Sequence, residues 1–375
     1  MNLTCLGVIP AVFDRQLWAE VPFGFWGLVF FCFGCMVGSF LNVCIHRMPL
    51  DQSVVSPPSH CPHCRYSIPW YLNVPLVTWL WLRGRCANCK APISPRYFLV
   101  ELLTGVAFFF CWRAFGHDSP GVALVYCLLL AGFIVATFID FEHFIIPDEI
   151  TLGGIGAGLL CSILVPALHG QSSVLQSVIQ SALGGVVGWG ITYGVLRLGK
   201  LLFGKRVIKL DRDTRVIFSE TSVKIGEEET LYEEIFSRDS DRIELFAKNA
   251  ESKERHWENV QVRLSPKRLQ IGEDSFDPEK VSELVVVTDQ IVIPREAMGF
   301  GDVKFMGAIG VFLGWQGAIF ALMGSSVIGA GLGLLLILLR RRDWSAKLPY
   351  GPYLAVAATW WLFGARELMR RLYGL

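Results

Sequence analysis

The chain has 375 residues, 53% of them hydrophobic, and a net charge of +1. A soluble protein of this size averages about 45–50% apolar residues spread over two or three domains. Here they gather in runs of about 20, the length that crosses a roughly 30 Å hydrocarbon layer. An ordinary soluble enzyme is therefore excluded; the net charge says little, because it averages over regions of very different character, and no nucleic-acid partner is expected.

Eight membrane spans are expected in chain order, at about 23–44, 97–116, 121–140, 146–166, 177–199, 302–314, 316–339 and 349–371. Asp14 and Glu20 precede the first run and no small-residue cleavage site follows it, so it does not read as a secretory signal. The sixth span is short and needs tilt or a partner. Glycines recur within spans, as at Gly153, Gly154, Gly156 and Gly158 and again at Gly184, Gly185, Gly188 and Gly190. Small residues at such spacing let helices approach closely in lipid. The expected fold is an all-α polytopic membrane protein, with a small cytoplasmic loop domain and an inserted β-rich soluble domain whose residues are taken below.

After the first span comes a polar loop, 46–96. It carries Arg47, Arg65, Arg83, Arg85, Lys90 and Arg96 against one acid, Asp51, a bias that places it in the cytoplasm. The N-terminus then lies outside. The 140–148 turn, the 200–300 segment and Arg340-Arg341-Arg342 fall inside, in agreement with Arg197, Lys200, Lys205 and Arg206. By the same parity Arg366, Arg370 and Arg371 fall outside, against the rule.

Seven of the eleven cysteines (Cys5, Cys32, Cys35, Cys44, Cys111, Cys127 and Cys161) lie in or beside apolar runs, where cysteine acts as a small hydrophobe. The other four form two pairs, Cys61-Pro62-His63-Cys64 and Cys86-Ala87-Asn88-Cys89. Two such knuckles bring four thiolates to one tetrahedral centre and suit a structural Zn²⁺. A cytoplasmic setting disfavours a disulfide; unliganded or redox-active pairs are the alternative, and His60 or His63 could replace a thiolate.

Residues 204–298 differ in kind, holding 21 of the 33 acids and 16 of the 34 bases. Short alternating runs such as Arg215-Val216-Ile217-Phe218 and Val260-Gln261-Val262-Arg263-Leu264 predict strands of a solvated accessory domain. The expected segments are 1–45 (N-terminal region and first span), 46–96 (metal-binding loop), 97–204 (spans two to five), 205–297 (insert) and 298–375 (spans six to eight).

Acids are costly in a bilayer, so those at its edge are functional candidates. Asp140 ends the apolar run Phe133–Ile139, with Glu142, Asp148 and Glu149 just beyond. Asp302 sits in Met298-Gly299-Phe300-Gly301-Asp302-Val303-Lys304. Parity puts Asp140 and Asp302 at the same, cytoplasmic, membrane face, where they can meet. Two close carboxylates hold one proton between them. One can then take a proton from water while the other gives one to a carbonyl, the division of labour in an aspartic protease. Glycines beside Asp302 would let a substrate backbone approach. Asp302 could instead be a helix N-cap with Lys304 as an interfacial anchor, and Asp148 after Pro147 reads as an N-cap for the fourth span. No HExxH occurs among the seven histidines, and Ser39 lacks a placed base.

With these residues laid out, the chain resembles the type IV prepilin peptidases, membrane aspartic proteases that also carry N-methyltransferase activity. The resemblance runs through Gly38-Ser39-Phe40-Leu41-Asn42-Val43, His46-Arg47-Met48-Pro49, the two CxxC pairs and Arg83-Gly84-Arg85-Cys86. It continues in Pro92–Tyr97, Val100-Glu101-Leu102-Leu103, Ile139–His143 with Pro147-Asp148, Gly299–Lys304 and Pro349–Leu354. It implies catalysis by Asp140 and Asp302, with Gly299, Gly301, Lys304 and Asp148 in support. It also implies a prepilin or pseudopilin substrate whose short basic leader is removed after a Gly at the cytoplasmic face of a bacterial inner membrane. Methylation of the new N-terminus from S-adenosylmethionine, with Gly84, Arg85 and Glu101 as candidate residues, rests on the resemblance alone. The chain departs from the family's pattern by about 90 residues inserted between Lys205 and Arg295. Two further readings stand beside this one: a peptidase without methyl transfer, and a non-catalytic zinc-stabilised membrane scaffold.

Overall fold

A computed structural model describes residues 18–226, 228–236, 241–252, 255–278, 283–294, 298–339 and 349–373. Cys5, Asp14, Arg295 and Arg340-Arg341-Arg342, used in the reading above, lie outside the described residues. The chain divides into a helical unit, Met1–Tyr193 with Phe300–Leu375, and a second unit, Gly194–Gly299.

The helices are α1 (Phe23–Arg47), α2 (Pro95–Cys111, carried on by a π turn Trp112–Gly116), α3 (Pro120–His143), α4 (Asp148–Leu164) and α5 (Val174–Phe203). After the insert come α6 (Phe300–Leu338), α7 (Gly351–Trp360), a π turn Trp361–Ala365 and α8 (Arg366–Tyr373). Two starts follow from local chemistry. Ser94 accepts a hydrogen bond from the Arg96 amide and Ser119 from that of Val122, each followed by proline at the first helical position.

Among the described residues, five stretches are long and apolar enough to cross a membrane: Phe23–Leu50, Pro95–Gly116, Pro120–His143, Val174–Leu202 and Phe300–Leu338. Four of these match expected spans one for one, and the fifth takes in the expected sixth and seventh together. The expected sixth and seventh form one element, α6, broken at Gly314, whose φ of 75° and ψ of 174° are not helical. Such a backbone favours glycine. The expected fourth and eighth correspond to α4, of 17 residues, and to the α7–α8 stretch with its π turn.

Helix α3 is the most buried of the long apolar helices described, from Val122 through Tyr126, Leu130 and Phe133 to Ile139, with Leu128 left 50% exposed. The α5–α6 approach is the tightest. A methyl group at Gly184 would lie 2.1 Å from the Gly310 carbonyl oxygen, and one at Gly310 would lie 2.1 Å from that of Gly184. The Ser181 hydroxyl bonds the Val311 carbonyl at 2.9 Å beside this contact. Gly184→Leu is therefore expected to destabilise the helical unit by at least about 3 kcal/mol, the upper end for overpacking. Thermal unfolding in detergent would register this as a lowered midpoint, and an unchanged midpoint would contradict the packing.

The second unit is an antiparallel sheet of eight strands: β1 (Lys205–Ser219), β2 (Ser222–Ile225), β3 (Glu228–Leu231), β4 (Ile243–Ser252), β5 (Arg255–Ser265), β6 (Arg268–Ile271), β7 (Asp274–Phe276) and β8 (Glu283–Pro294). Their order is β3-β2-β1-β8-β4-β5-β6-β7. Alternate residues such as Val216 and Phe218, Ile243 and Leu245, Val262 and Leu264, and Leu284 and Val286 form its core. Buried Asp241 is paired with Lys200 at 3.0 Å, as a buried charge must be. The first strand pairs with the last, Lys205 opposite Pro294. The chain therefore leaves and re-enters at neighbouring points, the geometry that lets a domain be inserted without splaying its host.

Candidate functional site

The four loop cysteines converge. Their sulfurs all lie within 4.8 Å of one another, with Cys61–Cys89 at 3.8 Å and Cys64–Cys86 at 3.9 Å. A tetrahedral Zn²⁺ with bonds of about 2.3 Å needs sulfurs about 3.8 Å apart, so the donors present fit a metal. Two equivalent knuckles build the cluster. The Cys61 amide bonds the Tyr66 carbonyl and the Arg65 amide the Cys61 carbonyl, at 3.0 and 2.9 Å. The Cys86 amide bonds the Ala91 carbonyl and the Lys90 amide the Cys86 carbonyl, at 2.9 and 3.1 Å. Arg65 (φ 56°) and Lys90 (φ 60°) occupy matching left-handed positions. The Tyr66 amide, with help from Asn88, holds the Cys64 thiol down to about 6, and amides of Cys89 and Asn88 lower that of Cys86. Thiolates are what a metal requires.

Gly84 and Arg85 sit at the base of the second knuckle. Gly84 has φ 65°, and a methyl group there would lie 2.9 Å from the Trp79 ring, so its glycine has a structural reason. Arg85 bridges to Pro92. Glu101 lies apart from this turn, on α2, buried, where it accepts the Leu76 amide at 2.8 Å and a hydrogen bond from Ser39. Ser39 and Leu76 also line a cavity of about 720 Å³ between α1 and residues 54–77, with Arg47 and Asn73 among its polar walls.

Asp140 and Asp302 are both buried, at 5% and 7% exposure. Asp140 lies near the end of α3, and Asp302 in the first turn of α6. The two helices face each other through Phe133 and Phe305, whose rings meet edge to face at 5.6 Å. Phe133 is seven residues, about two turns, before Asp140, and Phe305 is three after Asp302, so each acid shares its helix face with one of these rings. Ile146 lies close to both Gly351 and Gly301. A methyl at Gly351 would lie 2.8 Å from Asp140 Oδ2 and 3.0 Å from Ile146 Cδ1, and one at Gly301 would lie 3.6 Å from Ile146 Cβ. Ile146 thus adjoins both the Asp140–Gly351 contact and the residue preceding Asp302.

The supporting residues differ from expectation in two respects. Asp148 is not the cap of α4: Pro147 occupies that position, and Asp148 is the first helical residue. Its carboxylate instead receives Lys304 at 2.6 Å and lies 3.5 Å from the Thr151 hydroxyl. Lys304 also lies 5.3 Å over the Phe300 ring, so it ties the start of α6 to the start of α4. Asp302 is likewise inside the helix rather than capping it, because α6 begins at Phe300. Two contacts were invisible in the sequence. Arg96, at the start of α2, pairs with Glu142, just beyond Asp140. The Gly351 amide donates to Asp140 Oδ2 at 2.9 Å.

Comparison with known proteins bears on the same residues. The segment 32–115 matches the bacterial peptidase A24 N-terminal domain, and 127–208 with 282–334 matches the type IV leader peptidase family. The break between 208 and 282 falls inside the sheet unit. The prepilin leader peptidase/N-methyltransferase of Aeromonas hydrophila is 31% identical over 362 residues, covering 90% of each chain. The protein of that name from Myxococcus xanthus is 50% identical over 141 residues, 36% of this chain and 41% of its own. One from Stutzerimonas stutzeri is 26% identical over 347 residues, 86% of each chain. No solved structure matches. The matched segments contain all four knuckle cysteines and both buried aspartates, and the likeness spans nine-tenths of a whole relative, so this chain, with its long apolar helices, belongs to the prepilin leader peptidase/N-methyltransferase family.

Proposed function

We propose that the chain is a membrane aspartic endopeptidase that removes the basic leader of type IV prepilins or pseudopilins at the cytoplasmic face of the inner membrane. What supports this is that Asp140 and Asp302 are both buried, on helices that touch through Phe133 and Phe305, inside the segments the leader-peptidase family matches. One carboxyl takes a proton from water as the oxygen attacks the scissile carbonyl; the other gives its proton to the carbonyl oxygen. Collapse of the tetrahedral adduct returns a proton to the leaving amine. At Gly301 a methyl would meet only ordinary contacts, from 3.6 Å. Internal packing therefore does not require glycine there, and we assign Gly299 and Gly301 to close approach of the substrate backbone. Lys304 and Asp148 brace the two helix starts.

Eight crossings are proposed for the helical unit. Helix α6 has 39 residues, about 58 Å at 1.5 Å per residue, nearly twice the hydrocarbon thickness. Its break at Gly314 divides it into two passes. With α4 and the α7–α8 stretch this restores the even count, with the N-terminus periplasmic.

Methylation of the new N-terminus is the second activity, with S-adenosylmethionine as donor. The cavity beside α1 has the size of a small-molecule site, and Glu101 stands behind its Ser39–Leu76 wall. Gly84 and Arg85 shape the adjoining loop, and Cys61, Cys64, Cys86 and Cys89 hold one Zn²⁺, whose contribution is to cross-link that loop. Incubating the purified protein with a prepilin and labelled methyl donor tests both activities. Cleavage with label on the mature N-terminus is expected. Cleavage without label reduces the chain to a peptidase, and no cleavage of any co-encoded prepilin overturns the reading.

The sheet unit is proposed as an accessory. Because β1 and β8 pair end to end, replacing 206–294 with a short Gly/Ser linker is expected to leave a protein that still cuts a prepilin. The rate should stay within roughly tenfold of the parent, since the residues proposed for chemistry all lie outside the insert. A deletion protein that inserts and binds zinc but cuts nothing would make the insert part of the machinery.

A further inference from the structure

The segment Pro349–Tyr353 has no role in the chemistry described so far, yet it is the main-chain partner of Asp140. The Gly351 amide donates to Asp140 Oδ2 at 2.9 Å across 211 residues of sequence. Gly351 itself is fully buried, and a methyl group on it would lie 2.8 Å from that same oxygen. Side-chain carbons do not approach other atoms so closely, so an alanine here would have to displace the Asp140 carboxyl from its place. The segment is itself pinned. The Tyr350 hydroxyl meets the Ser325 hydroxyl at 2.8 Å and that of Ser326 at 3.0 Å, both on the far half of α6. The next aromatic, Tyr353, covers Gly329, where a methyl would lie 3.2 Å from the ring. A chain of contacts therefore runs from the second half of α6 through Tyr350 and Gly351 to the carboxylate.

We propose that Tyr350 and Gly351 are positioning residues for Asp140. Gly351 fixes Oδ2 with a main-chain hydrogen bond, leaving Oδ1 as the oxygen that exchanges the proton, and Tyr350 holds Gly351 in place through Ser325 and Ser326. A carboxylate otherwise turns about its terminal torsion, which is broad and two-fold. A main-chain donor in a buried site removes that freedom without adding a side chain that itself needs placing. This inference rests on the proposed catalytic role of Asp140. It acts on turnover, not on substrate capture, because the segment meets Asp140 from inside the bundle.

The test measures kcat and KM for one prepilin with the full-length protein in detergent or lipid, and methyl transfer to a pre-cleaved pilin by the same preparations. Gly351→Ala is expected to lower kcat about 100-fold, the scale of an ångström-sized misplacement, with KM within about threefold of the parent. Tyr350→Phe is expected to lower kcat roughly tenfold, the scale of one lost hydrogen bond. Adding Ser325→Ala and Ser326→Ala to Tyr350→Phe should cost little more, because all three act through one contact. The serines keep their Leu322 carbonyl partner when the tyrosine hydroxyl is removed, so Tyr350→Phe remains informative if Gly351→Ala does not fold. Methyl transfer should be unchanged in every variant. Wild-type kcat in Tyr350→Phe, or losses of cleavage and methyl transfer in parallel, would overturn the inference. If Asp140→Asn still cleaves, it is the catalytic role of Asp140 that fails. If Asp140→Asn is dead while Tyr350→Phe and Gly351→Ala turn over normally, the positioning role alone fails.

Discussion

Asp140→Asn and Asp302→Asn are each expected to reduce prepilin cleavage by on the order of 10⁴-fold or more, with the protein still inserted and metal-loaded. The amide has nearly the shape of the carboxyl group but can neither take a proton from water nor return one. Each acid is buried, so water does not readily replace the lost carboxyl oxygen. Groups that act as one unit lose nearly everything when either is removed. Asp148→Asn makes the internal control. Its carboxylate is 58% exposed and serves Lys304, a contact worth about 1 kcal/mol or less at such exposure. Cleavage by Asp148→Asn should stay within about fivefold of wild type. A dead Asp148→Asn beside an active Asp140→Asn would move the catalytic role to Asp148.

Metal removal should have the second large effect, and a different one. In small zinc domains the apparent binding free energy is about 10–16 kcal/mol and is realised as folding. The loop 46–96 has few alternatives, since Trp70, Val55 and Trp81 are 85%, 85% and 79% exposed and its described helices are single turns. Cys86→Ser or exhaustive chelation is therefore expected to take metal from about one Zn²⁺ per chain to near zero. Proteolysis within the loop should quicken by at least roughly tenfold, the behaviour of a locally unfolded segment. Methyl transfer should be lost, because residues 54–77 form one wall of the cavity beside Glu101. The two buried aspartates stand on helices outside this loop, so some peptide cleavage should survive. Metal-free protein with an intact loop and full methyl transfer would contradict the assignment.

Features set by local rules were legible in the sequence. The cysteine spacing is one: a CxxC knuckle closes through its own amides, and the structure repeats that closure twice. Alternation at Arg215–Phe218 and Val260–Leu264 is another, since a period of two survives whichever strand lies alongside. What stayed hidden depends on long-range packing. Gly351 looks like any turn glycine between Tyr350 and Pro352 until α7 is laid against α3, when Asp140 turns out to be its neighbour. The Arg96–Glu142 pair needs the start of α2 and the end of α3 to meet. Asp148 was misjudged for a local reason: Pro147, fixed near φ −58°, can itself take the cap position and push the acid one place into the helix. The break within α6 falls at Gly314, between the two spans expected there, and of the many glycines in that helix only this one leaves helical geometry.

The most direct test of the central claim is a four-protein comparison of cleavage rates: wild type, Asp140→Asn, Asp302→Asn and the double variant, on one prepilin in the same membranes. Two carboxyl groups sharing one proton predict that both single variants fall to the same floor and that the double variant is no slower than either. Losses that multiply in the double variant, or a single variant that still cleaves at a rate near wild type, would mean that Asp140 and Asp302 do not work as a pair.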